Sequence, residues 1–273
     1  MGDLDKDTSV EGGDGLYRAS LSEEWEIWGP QGGYVASVAL RAAGAHSPFP
    51  RPASFLCHFV NVGSFGEVEI RVETLRRSRR AESMRVALLQ QDRVIMEALV
   101  WTVDRLSGLD HLDAPAPEVS KPAETKSWGE LYADDPGPPF RFWYNLEGRP
   151  VGFDRARASQ PGRPFTQTWM RFIPTPTFDD PFVDAGRILI IADVSMFPAA
   201  VRAHGGEGPP PYVAPSMDLG LAFHDFAPDS EWLLIEAESP IAKESLVGGR
   251  ATVWSEDGRL LATGVQQMLQ RLS

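Results

Sequence analysis

Cysteine is almost missing from this chain: Cys57 is the only one in 273 residues. A single thiol excludes an internal disulfide and any multi-cysteine zinc site, and it suits a reducing, cytoplasmic setting. Positive charge is also in short supply, with 26 Lys and Arg against 38 Asp and Glu and a formal net charge of -12. A nucleic-acid binder would draw its affinity from Lys and Arg on phosphates, so that class is excluded. No apolar run approaches the roughly 18 residues of a membrane-spanning helix. The opening MGDLDKDTSVEGGDG has neither the basic start nor the apolar core of a secretory signal. Lys6 stands where a myristoylation pattern wants Ser or Thr. What is present is ordinary: 42% hydrophobic and 23% charged residues, the balance of a soluble globular protein. At roughly 100–200 residues per domain the length suits one large domain or two small ones, either able to bury a core without staples.

Residues 1–15 are rich in Gly and Asp without periodicity and read as a mobile tail. Residues 106–150 carry Pro115, Pro117, Pro122, Pro136, Pro138, Pro139 and Pro150, too many missing donors for interior sheet, so they read as a surface linker. Trp128, Phe140, Phe142, Trp143 and Tyr144 in the same stretch are large enough to pack back onto the flanking units. Those units, 16–105 and 151–273, rhyme. Ser54, Phe59 and Glu67 match Asp218, Phe223 and Glu231 at one constant offset of 164. RVALLQQD-RVIMEALVW (Arg85 to Trp101) corresponds to RATVWSEDGRLLATGVQQ (Arg250 to Gln267) after a one-residue insertion, the order expected of an internal duplication.

Each half reads as one helix followed by β-rich runs. Gly32-Gly33 opens YVASVALRAAGAH, where Val35, Val38, Ala39 and Ala42 recur at helical spacing. Asp193 is placed to N-cap VSMFPAAVRAH, with Pro198 near the start of that helix. FLCHFVNV, EVEIRVETL, MRVALLQQ and VIMEALVWTV follow the first helix. DLGLAFHDF, WLLIEAES, ATVWS and LLATGVQQML follow the second, with Asp257-Gly258 as a tight hairpin turn. The fold class expected is α+β, one helix against an antiparallel sheet in each of two halves.

This ordered set resembles the acyl-CoA thioesterase II family and the wider thioesterase-like superfamily. It includes Gly32-Gly33, Ser54-Phe55 and VETLRRSRRAESMRVALLQ, then LIIADVSMFPAAV, PSMDLGLAFH, EWLLIEAESP and DGRLLATGVQQMLQR. The resemblance implies a double hotdog, two tandem repeats each of an antiparallel sheet wrapped around a central helix. It implies an acyl-CoA substrate, no cofactor and no metal, and assembly into a homo-oligomer. In that family an Asp, a Ser or Thr and a Gln activate a water, and here they fall on Asp193, Ser216 and Gln266. The first half has Gln31 near the Asp193 equivalent, Pro52 opposite Ser216 and Val100 opposite Gln266, so one site per chain is expected. The chain departs from the family where Asp218-Leu219-Gly220-Leu221-Ala222-Phe223-His224 replaces a stretch usually reading Asp-His-Ser-x-Trp-Phe-His. Glu244-Ser245 also replaces a common Arg-Gly pair.

A water held by a carboxylate, a hydroxyl and an amide suffices to attack an electrophilic thioester carbonyl. In this reading Asp193 is the base, while Ser216 and Gln266 orient the water. Backbone N–H groups at a helix start, approached closely over Gly32 and Gly33, could hold the oxyanion. Tyr34 and Met196 could line an acyl pocket, and Arg79, in the dense basic run from Arg76 to Arg85, could meet CoA phosphates. Each has a bland reading too: a helix cap, a turn residue, a solvated strand Gln, core residues, and a solvated hairpin balanced by Glu73 and Glu82. Strand alternation alone does not separate Gln266 from Gln267.

Rival constellations are weaker. Cys57 and His58 are strand neighbours that point to opposite faces. His204-Gly205-Gly206 resembles a lipase oxyanion loop, but no Gly-x-Ser-x-Gly elbow exists in the chain. It reads as a helix end entering a flexible GGEGPPP loop. Asp218 and His224 could form a hydratase pair only if their strand breaks, since six steps at about 3.3 Å separate them by roughly 20 Å. The expected function is hydrolysis of acyl-CoA thioesters, with a non-catalytic or weakly active acyl-thioester binding protein as the alternative.

Overall fold

The structure is a computed structural model and describes residues 1–105, 107–205 and 212–272. Its first half comprises α1 (Leu4–Asp7), β1 (Glu11–Gly13), β2 (Leu16–Leu21), α2 (Gly32–His46), β3 (Arg51–Phe59), β4 (Gly66–Arg77), β5 (Ala81–Gln90) and β6 (Arg93–Val103). After α3 (Trp128–Leu131) the second half comprises β7 (Leu146–Pro150), β8 (Phe165–Phe172), α4 (Pro181–Arg202), β9 (Tyr212–Val213), β10 (Asp218–Phe223), β11 (Leu233–Lys243), β12 (Leu246–Ser255), β13 (Leu260–Leu269) and β14 (Arg271–Leu272).

Twelve strands form one antiparallel sheet in the order β1-β2-β4-β5-β6-β3-β10-β13-β12-β11-β8-β7, with β9 and β14 as a separate ribbon. Read inward from either edge, the two halves run identically: an edge strand, the strand before the helix, then the three strands of a meander, then the strand after the helix. They meet at β3 and β10. There Leu56 pairs with Gly220, its own counterpart at the offset of 164, so the local two-fold between the repeats passes through this pair. Leu56 also pairs with Leu99 and Gly220 with Val265, which makes Val100 the counterpart of Gln266. Cys57 lies in this seam opposite Leu219, 1% exposed.

Helices α2 and α4 pack against each other on one face of the sheet, and small residues permit it. A Cβ on Gly33 would lie 2.6 Å from both the Ile190 Cα and the Leu189 carbonyl oxygen. Ser37 donates across the crossing to the Gly186 carbonyl at 3.1 Å. The apolar residues of both helices and of the inner faces of the strands form one continuous core.

Three expectations are corrected. Asp193 does not cap α4 but lies in its middle. The cap is Asp180, whose carboxylate accepts from the Phe182 N–H at 2.8 Å, with Pro181 at the first position, where a missing N–H costs nothing. Pro198 is accordingly inside the helix. Residues 1–15 are docked: Leu4 and Thr8 are buried, and the Gly2 N–H donates to Asn145 at 2.7 Å. The linker ends earlier than expected, since Leu146–Pro150 is strand β7, paired with β8. Its proline-rich first part crosses the outer face of the second half. There Trp169 donates to the Ser120 carbonyl at 2.9 Å, and Val119 packs on Trp169, Trp232, Leu234 and Trp254.

Candidate active site

The middle of α4 passes the start of α2, and Asp193 fills the gap between them. Its Oδ2 accepts from the Gly33 N–H at 2.9 Å and from Gln31 Nε2 at 2.5 Å. Its Oδ1 accepts from the Ser216 hydroxyl at 2.7 Å and from Gln266 Nε2 at 2.5 Å. Four donors thus occupy the four acceptor positions of one carboxylate. Gln266 Nε2 also donates to Ser216 Oγ at 2.8 Å. Its Oε1 is buried with no protein partner. Burial raises the Asp193 pKa above the ordinary carboxylate value, while the bonds from Ser216, Gly33 and Gln266 pull the other way. Asp193 and Ser216 are half-buried and Gln266 is 3% exposed, so the cluster opens to solvent on its Asp193–Ser216 side.

Each position follows from local structure. Segment 214–217 runs beside β13, where Ser216 bridges to Met268 and the Met217 N–H donates to the Gln267 carbonyl at 2.8 Å. On β13 the alternation sends Gln266 and Met268 inward, while Val265 and Leu269 are exposed; this separates Gln266 from Gln267. Gln31 was not anticipated. It caps α2 by accepting from the Tyr34 N–H at 2.7 Å through Oε1, which aims its Nε2 at Asp193. The only sequence signal was its position before Gly-Gly at a helix start. Gly32 is required sterically, because a Cβ there would lie 2.9 Å from Asp193 Oδ2 and 3.0 Å from the Phe59 ring.

The remaining expected contributors sit elsewhere. Tyr34 is fully buried and stacks on Trp25; its hydroxyl donates to the Asp7 carbonyl at 2.7 Å and accepts from the Ser22 N–H, so it is a core residue. Met196 is fully buried against Gly249. Arg79 is in the exposed β4–β5 turn by the other end of α2, where His46 meets Thr74 and Ser47 meets Thr102. With about 1.5 Å per residue, the 15 residues of α2 put roughly 20 Å between that turn and Asp193.

Of the rivals, Cys57 is buried and His58 exposed on opposite faces of β3. Asp218 accepts from the Gln267 N–H and His224 meets Thr263, at opposite ends of an unbroken β10. Gly205 ends α4 with a φ of 63°, as a helix-terminating glycine does. The remainder of the loop, 206–211, lies outside the described residues.

An unbroken antiparallel sheet wrapped on two central helices, one per repeat, is the double hotdog, an α+β fold. Solved structures agree. A hot-dog-fold protein of unknown function from Alicyclobacillus acidocaldarius superposes with a TM-score of 0.85 at 19% identity, covering 100% of this chain and 99% of that one. A putative thioesterase II from Thermobifida fusca gives 0.83 at 19% identity over 99% and 98%. An acyl-CoA thioesterase II from Mycobacterium marinum gives 0.76 at 21% identity over 99% of both. No curated protein matches the sequence. The acyl-CoA thioesterase N-terminal domain matches residues 21–103 and its C-terminal domain residues 112–270. The chain belongs to the acyl-CoA thioesterase family and is a thioester hydrolase. No described helix is long and apolar enough to cross a membrane.

Proposed function

We propose that the enzyme hydrolyses acyl-CoA by direct attack of a water on the thioester carbonyl, with Asp193 as general base. The observation that carries this reading is the half-buried Asp193 carboxylate, held on both oxygens by side chains and backbone from both repeats. A water entering from the open side takes over the Oδ1 bond now made by Ser216, and the unpaired Oε1 of Gln266 accepts a hydrogen bond from its other O–H. The water oxygen bonds to the carbonyl carbon as its proton passes to Asp193. The C–S bond then breaks, and the CoA thiolate takes up that proton, leaving free acid and CoA. Since Asp193 occupies the Gly33 N–H, the donor left for the oxyanion in the first turn of α2 is the Gly32 N–H.

General-base help is typically worth 10²–10⁴-fold, so Asp193→Asn should lower kcat for CoA release by about that factor while the folded protein still binds acyl-CoA. Binding of acyl-CoA by the unaltered protein without any release of CoA would instead identify a binding protein and overturn the proposal.

A further inference from the structure

A cleft of about 1750 Å³ runs along α4 from Val194, the residue after Asp193, although Asp193 itself does not line it. Phe197, one turn after Asp193 and therefore on the same side of the helix, lines its near end with Val194 and Trp143. At its far end stand Arg202, in the last turn of α4, and the segment that packs against it. The Gly162 N–H donates to the Arg202 carbonyl at 2.8 Å, and Arg202 Nη1 donates to the Gln160 carbonyl at 2.7 Å. Arg157 and Arg163 flank this segment and also line the cleft.

The three guanidinium groups are poorly neutralised. Arg157 meets Asp154 only at 3.6 Å and Arg163 meets Glu238 only at 4.0 Å, both arginine side chains 74% exposed. Pairs so exposed are weak. No carboxylate pairs with Arg202 among the described residues. Its guanidinium lies flat on Gly162, where a Cβ would come within 2.8 Å of Cζ, so the backbone bond and the glycine hold it in place. In a chain with 12 excess negative charges, the lining of this cleft carries five Lys and Arg against four Asp and Glu. Three of the five, Arg157, Arg163 and Arg202, have no carboxylate closer than 3.6 Å among the described residues, which leaves them available to an anionic ligand.

Resting on the hydrolase reading above, we propose that this cleft receives the pantetheine arm of CoA and that Arg157, Arg163 and Arg202 bind its phosphates. The lengths agree. Nine residues of helix separate Asp193 from Arg202, about 13 Å at 1.5 Å per residue. Roughly 13 bonds separate the CoA sulfur from its nearest phosphorus; at about 3.5 Å per three bonds of extended chain this is roughly 15 Å. A thioester carbonyl at Asp193 thus puts the pyrophosphate beside Arg202. Planar Arg forks suit phosphate oxygens, and the apolar near end suits the arm.

The test compares kcat/KM for one acyl group carried on CoA and on pantetheine, which lacks the phosphates. The unaltered enzyme should prefer the CoA thioester at least tenfold, and added salt should erode that preference. The variant R157Q/R163Q/R202Q should lose it, along with competitive inhibition by adenosine 3′,5′-bisphosphate. R157Q/R163Q, altered only at exposed side chains, should lose part of it, which guards against misfolding of the triple variant. R79Q should keep the preference. An unchanged preference in the triple variant, its loss in R79Q, or a change in acyl-length selectivity instead would overturn this assignment. If the unaltered enzyme hydrolyses both thioesters equally, the phosphate site fails but the hydrolase reading stands. If it hydrolyses neither, the hydrolase reading fails first.

Discussion

Asp193 is subject to two opposing influences, and the balance between them should be visible in a pH profile. Burial favours the neutral acid, while hydrogen bonds from Ser216, Gly33 and Gln266 favour the anion, and burial dominates. In the proposed mechanism Asp193 works only when deprotonated, so activity should fall on the acid side as pH drops through a value above that of an ordinary Asp. Removing a donor leaves burial less opposed. In Ser216→Ala and in Gln266→Ala the acid limb of kcat should therefore move to higher pH, alongside the drop in rate. A limb that stays in place would show that another group sets it. At this scale the sequence was informative only where family resemblance supplied the pattern. Asp193, Ser216 and Gln266 were chosen that way and do lie within hydrogen-bond reach of one another. Gln31 escaped because its bond to Asp193 crosses from one repeat to the other, and no spacing encodes that. Tyr34 misled because its partner, the Asp7 carbonyl, belongs to a segment that read as a mobile tail.

Helices α2 and α4 cooperate at the site only because they touch. Gly33 is the least forgiving point: a Cβ there would meet the backbone of α4, which cannot step aside. At Gly44 the obstacle is the Phe182 ring, 2.6 Å from a Cβ, and a side chain can turn. Overpacking of a core typically costs 1–3 kcal/mol. Gly33→Ala should lose about that much stability and also lose kcat, because it moves the Gly33 N–H away from Asp193. Gly44→Ala should lose less stability and keep its turnover, as melting curves and CoA-release assays on the pair would check. The start of α4 was misread for a physical reason. Residues Phe182–Ala192 are all buried, and the two charged ones among them, Asp184 and Arg187, pair with each other in the core, so the stretch has no solvent-facing polar stripe and leaves little periodicity to detect. Asp193, the next polar residue after that run, looked like a beginning. The first helix was placed well because the glycines mark its start.

The duplication was the most legible feature of the whole molecule. The offset of 164 between the repeats reappears as the pairing of Leu56 with Gly220, and the hairpins Arg85 to Trp101 and Arg250 to Gln267 occupy equivalent places in the sheet. The strands that precede each helix, β2 and β8, were not foreseen, since they stand beside turn-rich and proline-rich sequence. The seam itself contains a built-in reporter. Cys57 faces the core on β3, paired with Leu219 on the opposite repeat, and burial raises its thiol pKa well above the usual value. Only the thiolate reacts readily with disulfide reagents, so in the intact protein this sulfur is protected both by packing and by protonation. Trapping it with a chromogenic disulfide under native conditions therefore clocks the parting of the two repeats. If they open only together with global unfolding, the free energy from the trapping rate should equal that from denaturant melts followed by circular dichroism. A smaller value would mean that the repeats separate while each stays folded, dismantling the proposed catalytic centre, whose residues come from both.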